Sequence, residues 1–96
     1  MIKLIKIVKS KKALKKYDAH FKLDNGKEKV VSFGQRGASD YTIHGNDERK
    51  ERYLRRHRAR ENWDRPMTAG SLSRHITWNK KTLKASIADF KKRFKL

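Results

Sequence analysis

Between Tyr17 and Phe33 the chain carries a pattern that admits one local structure. Tyr17, Ala19, Phe21 and Leu23 alternate with Asp18, His20 and Lys22, the period of two that turns one face of a strand inward and the other to water. Asp24-Asn25-Gly26 follows, a trio that tolerates the left-handed backbone of a tight turn. The chain then returns as Val30-Val31-Ser32-Phe33. This spacing predicts a β-hairpin. Ile2 to Val8 reads as a further strand, with Ile5 and Ile7 on one face and Leu4 and Val8 on the other. Lys3, Lys6 and Lys9 interrupt it at a spacing that a helical turn also allows. Ser10 to Lys16 is a lysine-rich stretch, a loop or a continuation of that element.

Beyond Phe33 the pattern changes. Gly34 to Gly45 reads as a loop, with three glycines for close turns and Asp40 and Thr42 positioned to hydrogen-bond their own backbone. Asn46 is a sound N-cap, and Asp47, Glu48 and Glu51 place acids where the helix dipole favours them. That helix is predicted to run to about Glu61, with Pro66 marking the stop. Thr68 caps a predicted helix over Ala69 to Trp78, and Asn79 or Thr82 restarts the chain. Leu83, Ile87, Phe90 and Phe94 then form a narrow apolar stripe on an otherwise basic helix. The expectation is one domain over residues 1–96, with a β region (1–33), a glycine-containing loop (34–45) and a helical region (46–96). That is an α+β fold, a small antiparallel sheet of N-terminal strand plus hairpin followed by three helices. The predicted centre comprises Phe21, Val31, Phe33, Leu54, Trp63, Leu72, Ile76, Ile87 and Phe90, the two tryptophans serving as anchors.

Composition bears on partners. In 96 residues there are 27 Lys and Arg against 10 Asp and Glu, a formal charge of +17. Solubility needs far less, and a polyanion would relieve the self-repulsion. With 35% hydrophobic and 39% charged residues the chain approaches a disordered composition, but nine aromatics and the periodic apolar pattern argue for a folded body. Lysine dominates both ends and arginine the centre: residues 34–66 hold eight of the arginines. Lysines suit diffuse phosphate contact, and guanidinium forks suit oriented contact. No cysteine is present, which excludes disulfides, thiolate metal sites and thiol nucleophiles. No apolar run approaches the roughly 18 residues of a membrane span. The lysine-interrupted opening is not that of a signal peptide, so a soluble, intracellular-type protein without membrane insertion is expected.

At about 100° per residue, Arg49, Arg52, Arg56 and Arg60 fall on one flank of the central helix. Tyr53 edges them and His57 follows. Leu54 and the acids Asp47, Glu51 and Glu61 lie on the opposite arc. Such a ridge fits phosphates along a nucleic-acid strand, with Tyr53 as a flanking contact. The bland alternative is a solvated helix laced by Glu48–Arg52 and Glu51–Arg55 pairs. Lys80, Lys81, Lys84, Lys91 and Lys92 would add a diffuse field. The loop glycines fall short of a P-loop, since no Gly-Lys-Ser/Thr follows. Among His20, His44, His57 and His75 no pair has zinc-site spacing. His57 with Glu61 is the one local pair resembling ligands or an acid–base couple, and Asp40, His44 and Glu61 could only be assembled into a metal nuclease centre without support from spacing.

From Phe33 onward the chain also carries Phe33-Gly34 with Gly37, Ser39-Asp40-Tyr41-Thr42-Ile43-His44, Glu51-Arg52-Tyr53, Arg56-His57 and Glu61-Asn62-Trp63. Thr68-Ala69-Gly70 with Leu72-Ser73, Trp78-Asn79, and Ser86-Ile87 to Phe94 complete the set. In these motifs, over about two-thirds of its length, it resembles a family of small basic proteins encoded by large nucleocytoplasmic DNA viruses, algal giant viruses included. The resemblance implies a viral setting: a genome-associated virion protein, or a minor component lining the inner face of the capsid. It implies no catalytic residues.

The combined expectation is a non-enzymatic, virion-associated protein that binds nucleic acid, double-stranded DNA in the first instance, through phosphate contacts and without strong sequence specificity. It would act in the virion and in the host nucleus or cytoplasmic viral factory, in genome packaging. No cofactor, metal or small-molecule substrate is expected. The alternative is a minor capsid or cement protein whose basic surface meets acidic capsid proteins.

Overall fold

The computed structural model describes residues 1–96. Strands β1 (Lys3–Lys9), β2 (Lys15–Lys22) and β3 (Glu28–Gln35) form an antiparallel sheet in the order β1-β2-β3. The hairpin turn is closed by Leu23 N donating to Lys27 O at 2.8 Å and by Gly26 N donating to Leu23 O at 3.0 Å. Gly26 takes φ 84° there, a conformation open to glycine at no steric cost. Phe33 faces Tyr17 across the ladder, and Ala19, Phe21 and Phe33 are wholly buried.

The first strand departs from strict alternation. Leu4 pairs with Phe21, but Lys6 pairs with His20 and Ile7 with Ala19, so Ile5 is the extra residue of a β-bulge. The bulge brings Leu4 and Ile7 to the core face and leaves Ile5 and Val8 exposed. The expected pairing of Ile5 with Ile7 is thereby corrected: the bulge shifts the period by one.

The lysine-rich stretch divides into a turn and the start of β2. Arg36 secures it, its guanidinium donating to the carbonyls of Ser10, Lys12 and Lys15 at 2.9, 3.2 and 3.1 Å. Asp18, on the polar side of the alternation, is nevertheless buried. Its carboxylate accepts from the Ser10 and Ser32 hydroxyls at 2.6 and 2.7 Å and from Lys11 N. These bonds, that of Ser10 foremost, hold its pKa below the usual carboxylate range.

Four helical segments follow. Within the predicted loop lies a one-turn helix, α1 (Tyr41–His44). It forms because the Asp40 carboxylate accepts from Thr42 N and Thr42 Oγ1, and it stops at Gly45, whose φ is 59°. Helix α2 (Asp47–Arg58) starts where Asn46 Oδ1 accepts from Arg49 N at 3.1 Å. It ends three residues before the predicted Glu61, whose carboxylate instead accepts the Trp63 indole N–H at 2.9 Å. Helix α3 (Ala69–Leu72), capped by Thr68, runs directly into a π-helical turn over Ser73–Thr77. There Trp78 N donates to Ser73 O at 2.9 Å, a five-residue closure. Thr82 caps α4 (Leu83–Phe94), which ends on Lys95 in the left-handed region at φ 54°. No helix is long and apolar enough to cross a membrane.

The central cluster contains Leu4, Ala19, Phe21, Phe33, Leu72, Ile76 and Phe90, with Val31, Leu83, Ile87 and Phe94 packed around it. Two predicted members lie elsewhere. Leu54 is buried outside this cluster, and Trp63 is only half-buried because its indole N–H is drawn to Glu61. His75 fills the helical wall instead, with Nε2 at 2.9 Å from Trp63 O and its ring edge-on to Phe94. Its Nδ1 is buried with no partner, and burial lowers its pKa.

Phe90, wholly buried, is expected to cost about 3–5 kcal/mol on replacement by Ala, and half-buried Ile87 about 2 kcal/mol. Urea unfolding of both variants reads this difference. A second expectation concerns acid. Because the folded pKa of His75 lies below its unfolded value, stability is complete above about pH 6.5 and declines as pH falls below it. His75→Gln keeps a donor for the Trp63 carbonyl and cannot be charged. Its unfolding midpoint should vary less than that of the parent chain between pH 7 and 5.

Candidate nucleic-acid interface

Helix α2 carries the arginines, and its neighbours decide what they face. Lys50 Nζ donates to Asn79 O at 2.8 Å and lies 4.9 Å above the Tyr41 ring, tying α2 to the segment before α4 and to α1. Asn79 in turn donates to Asp89 of α4 at 2.7 Å. With α2 fixed this way, the exposed side chains of Arg49, Arg52 and Arg56 border one open groove of about 330 Å³, together with Ala38, Ser39 and Trp78. Arg60 lies in the turn after α2 and does not border it.

None of these four arginines forms an ion pair. The protein's five ion pairs are Met1 with Asp24, Lys16 with Asp40, His20 with Glu28, His57 with Glu61 and Arg93 with Asp89. The Glu48–Arg52 and Glu51–Arg55 pairs that would lace a merely solvated helix are therefore not formed. Guanidiniums without carboxylate partners keep their full donor capacity for an external anion.

Tyr53 is a correction. Far from flanking the ridge, it is buried between two rings: Trp78 at 4.2 Å with planes 3° apart, and His57 at 4.1 Å with planes 26° apart. Burial, with the nearby Glu61 charge, raises its phenol pKa strongly. The π-helical turn precedes Trp78, the residue that covers Tyr53. A phenol so enclosed has no face left for a base.

Adjoining the arginine groove is a second cavity of about 420 Å³ that shares Ala38, Ser39, Arg56 and Trp78 with it. Strands β2 and β3 supply Lys15, Lys16 and Gln35, and the π-helical turn supplies Ser73 and Thr77. Sequence reasoning did not single out Lys15 and Lys16 as site residues; it took Ser39 only as part of the glycine-containing loop and Trp78 as a core anchor. Gly34 takes φ 76°, and a Cβ there would come within 3.1 Å of Lys16 Cβ, so the β3 rim approaches β2 closely.

Lys80, Lys81, Lys84, Lys91 and Lys92 are all exposed, and none lines either cavity. Asp40 is occupied by Lys16 and Thr42, and Glu61 by His57 and Trp63. The fold gathers no three His, Asp or Glu side chains into a metal-binding group. His44 Nδ1 accepts from Asn46 N at 2.8 Å, which puts its proton on Nε2. Burial, and the charge of Arg49 next, lower its pKa.

Residues 5–57 match the model of a family of unknown function (DUF5754). The match takes in β1 from Ile5, β2, β3, α1 and α2 through His57, and with them Arg49, Arg52 and Arg56. No curated protein and no solved structure matches the chain.

The stack yields a measurable expectation. Because the folded state favours the neutral Tyr53 phenol, its contribution to stability is intact below about pH 10 and lost as pH rises beyond that. In an alkaline absorbance titration of the folded chain, Trp78→Ala should move one tyrosine down toward the ordinary range. The same substitution in a Tyr53→Phe background should move none.

Proposed function

The chain belongs to the DUF5754 family, and we propose that this member is a non-enzymatic protein that binds nucleic acid through phosphate contacts, duplex DNA included, without strong sequence specificity. One observation carries the reading: three guanidiniums of a single helix face stand unpaired along one open groove, on a chain of net charge +17. Arg49, Arg52 and Arg56 act as oriented clamps. Arg60 and the lysines of the α4 region contribute field. Buried Tyr53 serves the scaffold. In the viral setting that the sequence resemblance implies, the partner would be the genome within the virion.

The test is the dependence of affinity on salt. For B-DNA the log–log slope is about −0.9 per phosphate neutralised, so Arg49→Gln with Arg56→Gln should make it shallower by roughly two units. The loss should be nearly equal for every duplex sequence, since phosphate contacts do not read bases. Changing Lys3 and Lys6 to Gln should do less. The arginines are exposed and unpaired, so circular dichroism should show an intact fold. Unchanged affinity and slope in the folded double variant would remove the ridge as the binding site. Binding to a purified acidic capsid protein instead of DNA, lost in the same variant, would establish the cement-protein alternative.

A further inference from the structure

We propose that the two adjoining cavities form a seat for a phosphate-terminated nucleotide, with the phosphomonoester among Arg49, Arg52, Arg56 and the Ser39 hydroxyl and the nucleoside in the larger cavity beyond Trp78. This rests on the nucleic-acid reading above and adds a second mode to it: along a continuous strand the arginines meet successive phosphates, and at a strand end they share the terminal one. An internal phosphodiester offers a single negative charge and two free oxygens. A phosphomonoester near neutral pH carries about −1.5 to −2 and three acceptor oxygens. Three unpaired guanidiniums around one groove of about 330 Å³ match the second better than the first.

The distribution of acids sets the direction of the ligand. No carboxylate borders the arginine groove, whereas Asp40 and Glu61 border the larger cavity. Asp40 is neutralised by Lys16. Glu61 accepts from Trp63 on one oxygen and meets His57 Nδ1 at 3.3 Å on the other, and a lone pair left on its carboxylate can take the N–H of a base but would repel a phosphate. The hydroxyls of Ser73 and Thr77 and the amide of Gln35 add donors and acceptors there. The larger cavity, about 420 Å³, is the size of small-molecule sites and too small for a duplex. It shares Ala38, Ser39, Arg56 and Trp78 with the arginine groove, so the two lie side by side, within the span of a single nucleotide.

The experiment is fluorescence anisotropy of the full chain with one single-stranded sequence in four forms: 5′-phosphorylated, 3′-phosphorylated, hydroxyl at both ends, and closed into a circle. The matching free nucleoside monophosphates serve as competitors. One phosphorylated end should bind about tenfold more tightly than the hydroxyl-ended and circular strands, the worth of one charge-assisted contact. Arg52→Lys keeps the charge without the fork and should lose most of that preference, as should Ser39→Ala in part. Lys22→Gln, at the turn end of β2, should leave it. Competition by a free monophosphate at the strand's own affinity would identify the free nucleotide as the ligand of the same seat. Equal affinity for all four strands, with the salt dependence intact, overturns the strand-end seat and leaves nucleic-acid binding standing. Failure of every strand and every monophosphate to bind overturns both.

Discussion

The constraint on which this structure depends is how little apolar material it has to hold together a strongly cationic chain. Seven buried side chains make up the central cluster, drawn from all three strands, from α3 with its π-helical extension, and from α4. Burial is worth roughly 25 cal/mol per Å² of apolar surface. A cluster this small has few contributors to spare, and net positive charge works against compaction. Polar groups are accordingly enlisted at the periphery. Asp18 is enclosed by two serine hydroxyls, Arg36 holds three carbonyls, and Asp40 caps α1 while pairing with Lys16. Each of these uses a charged side chain as a structural tie.

Helix α2 stands apart from that cluster and is attached differently. Leu54 and Tyr53 are buried outside it, Tyr53 is stacked between Trp78 and His57, and Lys50 bridges to Asn79. The π-helical turn matters here. One extra residue per closure changes the direction in which the segment leaves the core, and Trp78 is the first residue after it. The arginine groove thus depends on a local departure from helical geometry some twenty residues away in sequence.

Much of the architecture was legible in the sequence because it rests on local rules. The hairpin follows from the alternation at Tyr17–Leu23 and the Asp24-Asn25-Gly26 turn. The caps at Asn46 and Thr68 were marked by their side chains, Thr82 stood with Asn79 as one of two candidates, and the stripe on α4 delivered Phe90 to the core. What was hidden is non-local. The bulge at Ile5 depends on pairing with β2, and the π-helical turn on how the segment packs. Helical angles place Tyr53 beside the arginines, which is correct for a helix in isolation. Only the arrival of Trp78 from a distant segment turns that flank inward. The ridge itself was readable as a flank, but the groove it borders was not, because Ser39 and Trp78 come from elsewhere.

The bulge in β1 has a meaning beyond the register it sets. A three-stranded sheet has two edges, and β1 is one of them. In free solution, Lys3, Lys6 and Lys9 along that edge keep molecules of like charge apart. On a polyanion that protection would be neutralised at the moment when many copies are brought side by side. Strand could then join strand. The bulge at Ile5 does not depend on charge: it breaks the ladder and twists the edge whether or not the lysines are screened. The β1 edge therefore has a safeguard against strand addition that salt and counter-charge leave untouched.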